Sequence, residues 1–493
     1  MTDWLGALFL VAGFLAIVRR AGLVAKSRDV IAVAGRSASI VGDRRLDDGA
    51  KERELQGAAR RLFGLFVSLL FGGAAACLLP FGLLWPFDQM GWISLGSVLH
   101  VTISPTFLLL STSLALAAWI TRGRKPPESQ SHPYSAVDRV LHRLAFATYG
   151  AQAALADCED RVYARRLSAC KVDRPVFIAS LPRAGTTLLL ERCAELPEFA
   201  SHCYRDMPFV LIPCFWSRFS TAFRREGERR ERAHGDGVLI DFDSHEALEE
   251  VVWKTFWRGH YRKDRIRPWR PAECGDDEFR AFLKGHLRKI IYLRCGDGAA
   301  AGRYVSKNNL NIARLPALHR LFPHATAITP FRRPLDHAAS LLEQHRRFSA
   351  MHRSDPFARA YMRAIGHFDF GDNLRPVDFN GWLDRRESDD PTALTFWLQY
   401  WIETFDYLLD TAGEADHFVS YEALCDDPQR GLGKIAEAIG CRDADALRSG
   451  AGSVRAVRAR EVDAAAVPRD LLRAADRVYR RLQDAALWGR RHA

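Results

Sequence analysis

The stretch RPVFIASLPRAGTTLLLERC, Arg174 to Cys193, reads as three consecutive pieces. Val176-Phe177-Ile178-Ala179 is an apolar, β-prone run. A turn rich in Pro, Gly and Thr follows, and then leucines in a helical pattern. A strand, a turn and a helix in that order present backbone N–H groups at the helix start, where an anion binds well. The phosphate loop of nucleoside triphosphatases reads G-x-x-x-x-G-K-[ST]. With Gly185 as its second glycine, the first falls on Ser180, the lysine on Thr186 and the Ser/Thr on Thr187. The lysine is absent, and two hydroxyls and Arg183 replace it. Such a loop suits a phosphate that does not share magnesium with a lysine-cradled γ-phosphate. An ordinary connection would not need Pro-Arg-x-Gly-Thr-Thr directly after a β-run.

Working outward, Ala325–Ile328 and Phe418–Ser420 are further β-like runs, the last directly before the helical YEALCDDPQRGLGKIAEAIG. The alternation predicts an α/β fold, a P-loop-type parallel sheet flanked by helices, over residues 171–493. Asp206 to Arg294 shows a helical pattern without an evident strand and is expected to be a helical insertion. Ala136 to Leu167 carries apolar residues at helical spacing and is expected to pack on the following domain. TRGRKPPESQSHP, Thr121 to Pro133, reads as a linker, so 121–170 is linker plus amphipathic helix.

Residues 1–120 read as a membrane region. Leu62–Trp85 holds no charge, and Val101–Ile120 is a second uncharged run. Trp4–Val18 is shorter, and spans only if Arg19 and Arg20 snorkel. It lacks the basic start of a cleaved signal. Two or three transmembrane helices are therefore expected. Lys and Arg crowd the segment from Arg19 to Arg61 and recur at Arg122, Arg124 and Lys125, whereas the turn after Trp85 has only Asp88. The positive-inside rule puts everything after Ile120 in the cytoplasm.

The net charge of +11 is modest for 493 residues. No zinc-finger spacing or long basic run points to nucleic acid. The ten cysteines form no C-x-x-C pair, which speaks against a disulfide framework. HRSDPFARAYMRAIGHFDF has His and Asp residues without metal-ligand spacing, so no metal is expected.

Pro182-Arg183-Ala184-Gly185-Thr186-Thr187 resembles the 5′-phosphosulfate loop, P-R-S-G-T-T, of sulfotransferases that use 3′-phosphoadenosine 5′-phosphosulfate (PAPS). Ala184 replaces a serine but keeps the backbone N–H. ITPFRRPLDHAASLLEQH carries a second resemblance: Arg332 and Ser340 have the spacing of the family's 3′-phosphate clamp. RYVSKNNLNIARLPALHRLFPHATAI is similar to the segment whose Lys307 would face the leaving group. FVSYEALCDDP is similar to the family's Y-E-x-L-x-x-x-P, with Tyr421 at the cofactor. The likeness spans Arg174 to Cys441 and lies nearest the bacterial and tyrosylprotein-like branch. It implies that Arg183, Ala184, Gly185, Thr186, Thr187, Leu188, Arg332, Ser340 and Tyr421 bind PAPS, and that no metal is required.

In the tyrosylprotein-like branch a Glu about seventeen residues after the loop serves as base. That count lands on Tyr204, and Asp206 is the nearest carboxylate. Asp206 is the first candidate base, His202 the second, and Glu246, Glu249 and Glu250 the third. The plain alternative for that acidic run is a solvated helix face. The aromatics Trp253, Phe256, Trp257, Trp397, Tyr400 and Trp401 are expected to be mostly core. The reading is an inner-membrane, PAPS-dependent sulfotransferase with a cytoplasmic catalytic domain, acting on a hydroxyl-bearing lipid, glycan or small molecule. Its rivals are a P-loop kinase of a lipid or small molecule and a catalytically silent nucleotide-binding scaffold. Nothing in the sequence fixes the oligomeric state.

Overall fold

The computed structural model describes residues 2–23, 48–102, 136–220, 244–296, 301–385, 390–455 and 467–488, with positions 25–26, 29–30, 33, 104 and 107 and the short strands 230–231 and 239–240. It divides into two compact units, Met1–Pro133 and Tyr134–Ala493.

The first unit contains α1 (Thr2–Arg20), α2 (Asp48–Gln89) and α3 (Leu95–Thr102). Ala7, Leu10, Leu84, Val98 and Phe107 form its small core. The expected span Trp4–Val18 lies within α1, and Leu62–Trp85 lies within α2. Among the described residues, one helix is long and apolar enough to cross a membrane: Gln56–Gln89, with mean hydropathy 2.3. Phe63, Phe66, Phe71 and Leu78 on it are at least 60 % exposed, which suits an apolar surrounding better than water. Two or more spans do not follow from the described residues. Most of Val101–Ile120 and all of the linker Thr121–Pro133 lie outside them. Lys51, Arg53, Arg60 and Arg61, expected between two spans, belong to the first turns of α2 itself. Lys, Arg and Glu are good helix formers, so a basic flank extends the apolar helix instead of ending it.

The second unit opens with α4 (Ala136–Ala147) and α5 (Tyr149–Leu167), so these helices belong to the same compact unit as the sheet. Fully buried Glu159 of α5 pairs with Lys289 at 3.1 Å, and Lys289 Nζ also donates to the Ala156 carbonyl at 3.0 Å. Five parallel strands form the sheet, in the order β2–β5–β1–β6–β7. They are β1 (Val176–Ile178), β2 (Phe199–Ala200), β5 (Arg303–Lys307), β6 (Thr326–Phe331) and β7 (Asp416–Ser420). Val176 and Ile178 point into one core with Val305, Ile328 and Val419, while Phe177 and Ala179 point into the other with Tyr304 and Ala327. Burial on both faces explains why these strands read as unbroken apolar runs. Within the stretch expected to lack strands, β3 (Arg230–Glu231) and β4 (Leu239–Ile240) form a small antiparallel pair. Runs of two residues leave no period to read. Trp253, Trp397, Tyr400 and Trp401 are core, as expected, and Phe256 and Trp257 pack on it half-buried.

Candidate active site

Strand register decides which side chains meet. Ile178 stands beside Lys307 and Ile328, and Phe331 stands beside Ser420. The segments that leave β1, β5, β6 and β7 therefore emerge along one carboxyl edge of the sheet, where α/β folds bind ligands.

The loop after β1 turns through two residues of positive φ, Arg183 at 72° and Gly185 at 92°. A Cβ on Gly185 would lie 2.3 Å from Cε2 of Tyr421, so only glycine fits there. Helix α6 (Thr186–Ala194) starts immediately, and Gly185 offers no side chain to cap it. The first N–H groups of a helix have no intrahelical acceptor, and here they open at the loop.

Two side chains from beyond β6 brace this loop. Arg332 Nη1 donates to the Arg183 carbonyl at 3.1 Å, and Arg183 Nε donates to Ser340 Oγ at 3.4 Å. Ser340 is buried on the helix Pro334–Ser354, two turns in from its first residue. His337 on the same helix bonds the Pro182 carbonyl through Nε2 at 2.8 Å and accepts Trp401 Nε1 on Nδ1 at 3.2 Å. Burial, reinforced by Arg332 and Arg183, pushes His337 down to about 3. It is thus a neutral strut with a fixed tautomer. Arg332 Nε is buried with no hydrogen-bond partner, a donor that an anion would satisfy. The Tyr421 ring lies 6.0 Å from the Arg332 guanidinium carbon, and burial pushes its hydroxyl up to about 12. The loop residues, Arg332, Ser340, Tyr421 and Lys307 thus meet at one edge. The helix N–H groups and Arg332 Nε are donors that suit anionic groups.

Asp206 follows β2, in the turn Tyr204–Asp206. Its carboxylate takes the Arg294 guanidinium and the Cys203 N–H, the latter at 3.0 Å, and meets His202 Nδ1 at 3.3 Å. Burial opposes its ionisation, yet Arg294 and His202 outweigh burial and hold the carboxyl well below the usual carboxylate range. A carboxylate so committed is a weak proton acceptor. His202 is buried too, with Nε2 3.2 Å from His286 Nε2. Asp206→Asn is therefore expected to cost about 2 kcal/mol at neutral pH, the scale of a hydrogen bond to a charged group. Its folded-state pKa is depressed, so that stabilisation is complete above the ordinary carboxylate range. It is lost as pH falls below about 4. Chemical denaturation should show wild type and variant converging in acid; a constant gap down to the lowest pH would contradict this.

The acidic run is not a solvated face. Glu246, Glu249 and Glu250 are all under 5 % exposed. Glu250 takes Arg314, Tyr261 and Asn308, and Glu249 accepts the Tyr304 hydroxyl at 2.8 Å. Glu246 accepts the Tyr204 hydroxyl at 2.7 Å and lies 4.0 Å from His367 Nε2. Asn309, two residues past Lys307, donates to Asp369 at 3.1 Å. Burial raises the Asp369 pKa, opposed by His367, Asn309 and Lys307. His367 and Asp369 thus stand in the Lys307 neighbourhood, and the sequence reading missed them. Their stretch was weighed only for metal spacing; the alternation His367-Phe368-Asp369 around an apolar residue was the available sign. Among the described residues no group of three or more His, Cys, Asp or Glu is arranged to hold a metal ion.

No curated protein matches this chain. Among solved structures it is similar to sulfotransferase STF9 from Mycobacterium avium, at 14% identity over 76% of this chain and 95% of that one, with a TM-score of 0.40. It is also similar to sulfotransferase STF1 from Mycobacterium tuberculosis, at 13% identity over 67% and 81%, with a TM-score of 0.34. Likeness at that level carries no weight for substrate or site. Residues 175–370, which hold the loop, Lys307, Arg332, Ser340 and the His367–Asp369 pair, match the model of the sulfotransferase family.

Proposed function

We propose that the protein transfers the sulfuryl group of PAPS to a hydroxyl of its acceptor. The observation that carries this reading is the convergence, on one sheet edge, of a lysine-free anion loop with the buried, unsatisfied Nε of Arg332. The loop N–H groups from Arg183 to Leu188, with the Thr186 and Thr187 hydroxyls, hold the 5′-phosphosulfate. Arg332 and Ser340 take the 3′-phosphate, and Tyr421 packs beside them. Clamping both ends aligns the donor for in-line attack. The acceptor oxygen forms the new S–O bond as the bond to the 5′-phosphate oxygen breaks. Lys307 faces that oxygen as its charge grows.

The proton goes to His367, whose Nε2 lies 4.0 Å from Glu246. This reading moves Asp206 from base to positioning residue, since Arg294 already holds its carboxylate. His367→Gln is expected to lower turnover by about a hundredfold without weakening donor binding. Measured kcat and donor affinity check it. Unchanged turnover would return the role to another group, and Asp206→Asn is the next variant to assay.

Residues 1–120 anchor the enzyme in the membrane through the apolar helix Gln56–Gln89, with its basic flank on the cytoplasmic side. An anchored enzyme meets lipid or lipid-linked hydroxyls readily. Incubating the full chain with radiolabelled PAPS, EDTA and a cell lipid extract tests the reading. Labelled product is expected without magnesium. Transfer from γ-labelled ATP in place of PAPS would favour a kinase.

A further inference from the structure

A second cavity opens in the catalytic unit, lined by none of the donor-loop residues, with a volume of about 490 Å³. Arg143, Lys254, Arg258, Arg363 and Arg375 line it, and no carboxylate does. They come from four separate places in the chain: α4, the segment around the helix Glu250–Phe256, the helix Pro356–Ile365 and the loop beyond it. Among the described residues none of the five forms an ion pair. Like charges gathered on one concave wall repel, and the repulsion is relieved when an anion enters.

The floor is built to hold the charges in place. Phe368 is 1 % exposed, and its ring lies 5.2 Å from Lys254 Nζ and 4.6 Å from the Arg375 guanidinium carbon. Lys254 Nζ also donates to the carbonyls of Arg363 and Ala364, the latter at 2.7 Å. Burial pulls Lys254 down to about 7, with Arg375 and Arg363 adding to it and Glu250 opposing. Tyr149 and Tyr261 add rings to the same wall. Planar guanidinium groups match the oxygens of a phosphate, and several cations favour a dianion over a single carboxylate.

We propose that this cavity is a binding site for a phosphate-bearing ligand, separate from the donor site. It does not depend on the donor assignment. The ligand's phosphate sits among the Arg and Lys head groups, and its less polar part lies against Phe146, Tyr149 and Phe368.

The test is calorimetry on the full-length chain in detergent solution, with adenosine 3′,5′-bisphosphate at saturation to fill the donor site. Inorganic pyrophosphate is one probe. Dihexanoyl phosphatidic acid is the other, with dihexanoyl phosphatidylcholine as its control. At least one phosphate probe is expected to bind, and Arg258→Gln/Arg363→Gln to weaken it by about tenfold or more. Both arginines are exposed, so the double variant should keep its fold, and its unfolding transition checks that. Pyrophosphate binding points to a soluble phosphorylated ligand; phosphatidic acid binding alone points to a lipid headgroup. Repeating the titration in Arg332→Ala without the bisphosphate separates this site from the donor clamp, since cavity binding is expected to survive there. Absence of binding by both probes, or binding that the double variant leaves intact, overturns the proposal.

Discussion

Replacing Lys307 by alanine is expected to lower turnover by about a hundredfold to a thousandfold, the cost of removing one group that stabilises developing charge. Lys307 ends β5 and stands in register with Ile178, the last residue of the strand that feeds the anion loop. Its ammonium is thus proposed to meet the 5′-phosphate oxygen, whose charge appears only as the S–O bond breaks. Affinity for adenosine 3′,5′-bisphosphate should fall far less than kcat, because Arg332 and the loop supply most of the ground-state hold. Single-turnover rates alongside product affinity separate the two. A variant that loses affinity and rate equally would make Lys307 a binding residue only.

The largest expected effect on stability lies behind the site. Arg314 is fully buried, with its guanidinium carbon 4.4 Å and 4.6 Å from the rings of Trp253 and Trp269. It pairs with Glu250, which is 1 % exposed. Arg314→Leu leaves that carboxylate buried without its cation and should cost about 3–5 kcal/mol. Adding Glu250→Gln should recover a large part, since the remaining Tyr261 and Asn308 donors suit a neutral acceptor. Denaturant midpoints of the two variants measure both quantities. A loss under about 1 kcal/mol in Arg314→Leu would mean that the pair contributes little.

The parts of this fold that were legible in the sequence are those set by local chemistry. The β1 run, the Pro-Arg-x-Gly-Thr-Thr turn and the leucines of α6 each carry their own signal, and they led to the loop after β1. Arg332 and Ser340 were singled out by their resemblance to the family's 3′-phosphate clamp, on their spacing after an apolar strand. The rest depends on tertiary neighbours. Asp206 follows β2 and Lys307 ends β5, but Arg294 arrives from a distant helix to occupy Asp206. Glu250 looks solvated in sequence and is buried because Arg314, 64 positions later, folds onto it. Glu246 lies 4.0 Å from His367, and its segment Ser244–Glu246 pairs with His202–Tyr204 through backbone bonds, including Glu246 N–H to the His202 carbonyl at 3.1 Å. No periodicity announces such a pairing. The first unit shows the same limit in another form, since a 42-residue helix joins a basic segment to an apolar one that hydropathy alone had separated.

The central claim is that a lysine-free loop and a separate Arg332–Ser340 clamp hold the two phosphates of one nucleotide. Titrating adenosine 3′,5′-bisphosphate and adenosine 5′-monophosphate into wild type and Arg332→Ala, with EDTA present, tests it directly. The bisphosphate should bind without magnesium and more tightly than the monophosphate by about 1.5–3 kcal/mol, and Arg332→Ala should erase most of that difference. Equal affinity for the two nucleotides in wild type, or binding that appears only with magnesium, would contradict the account.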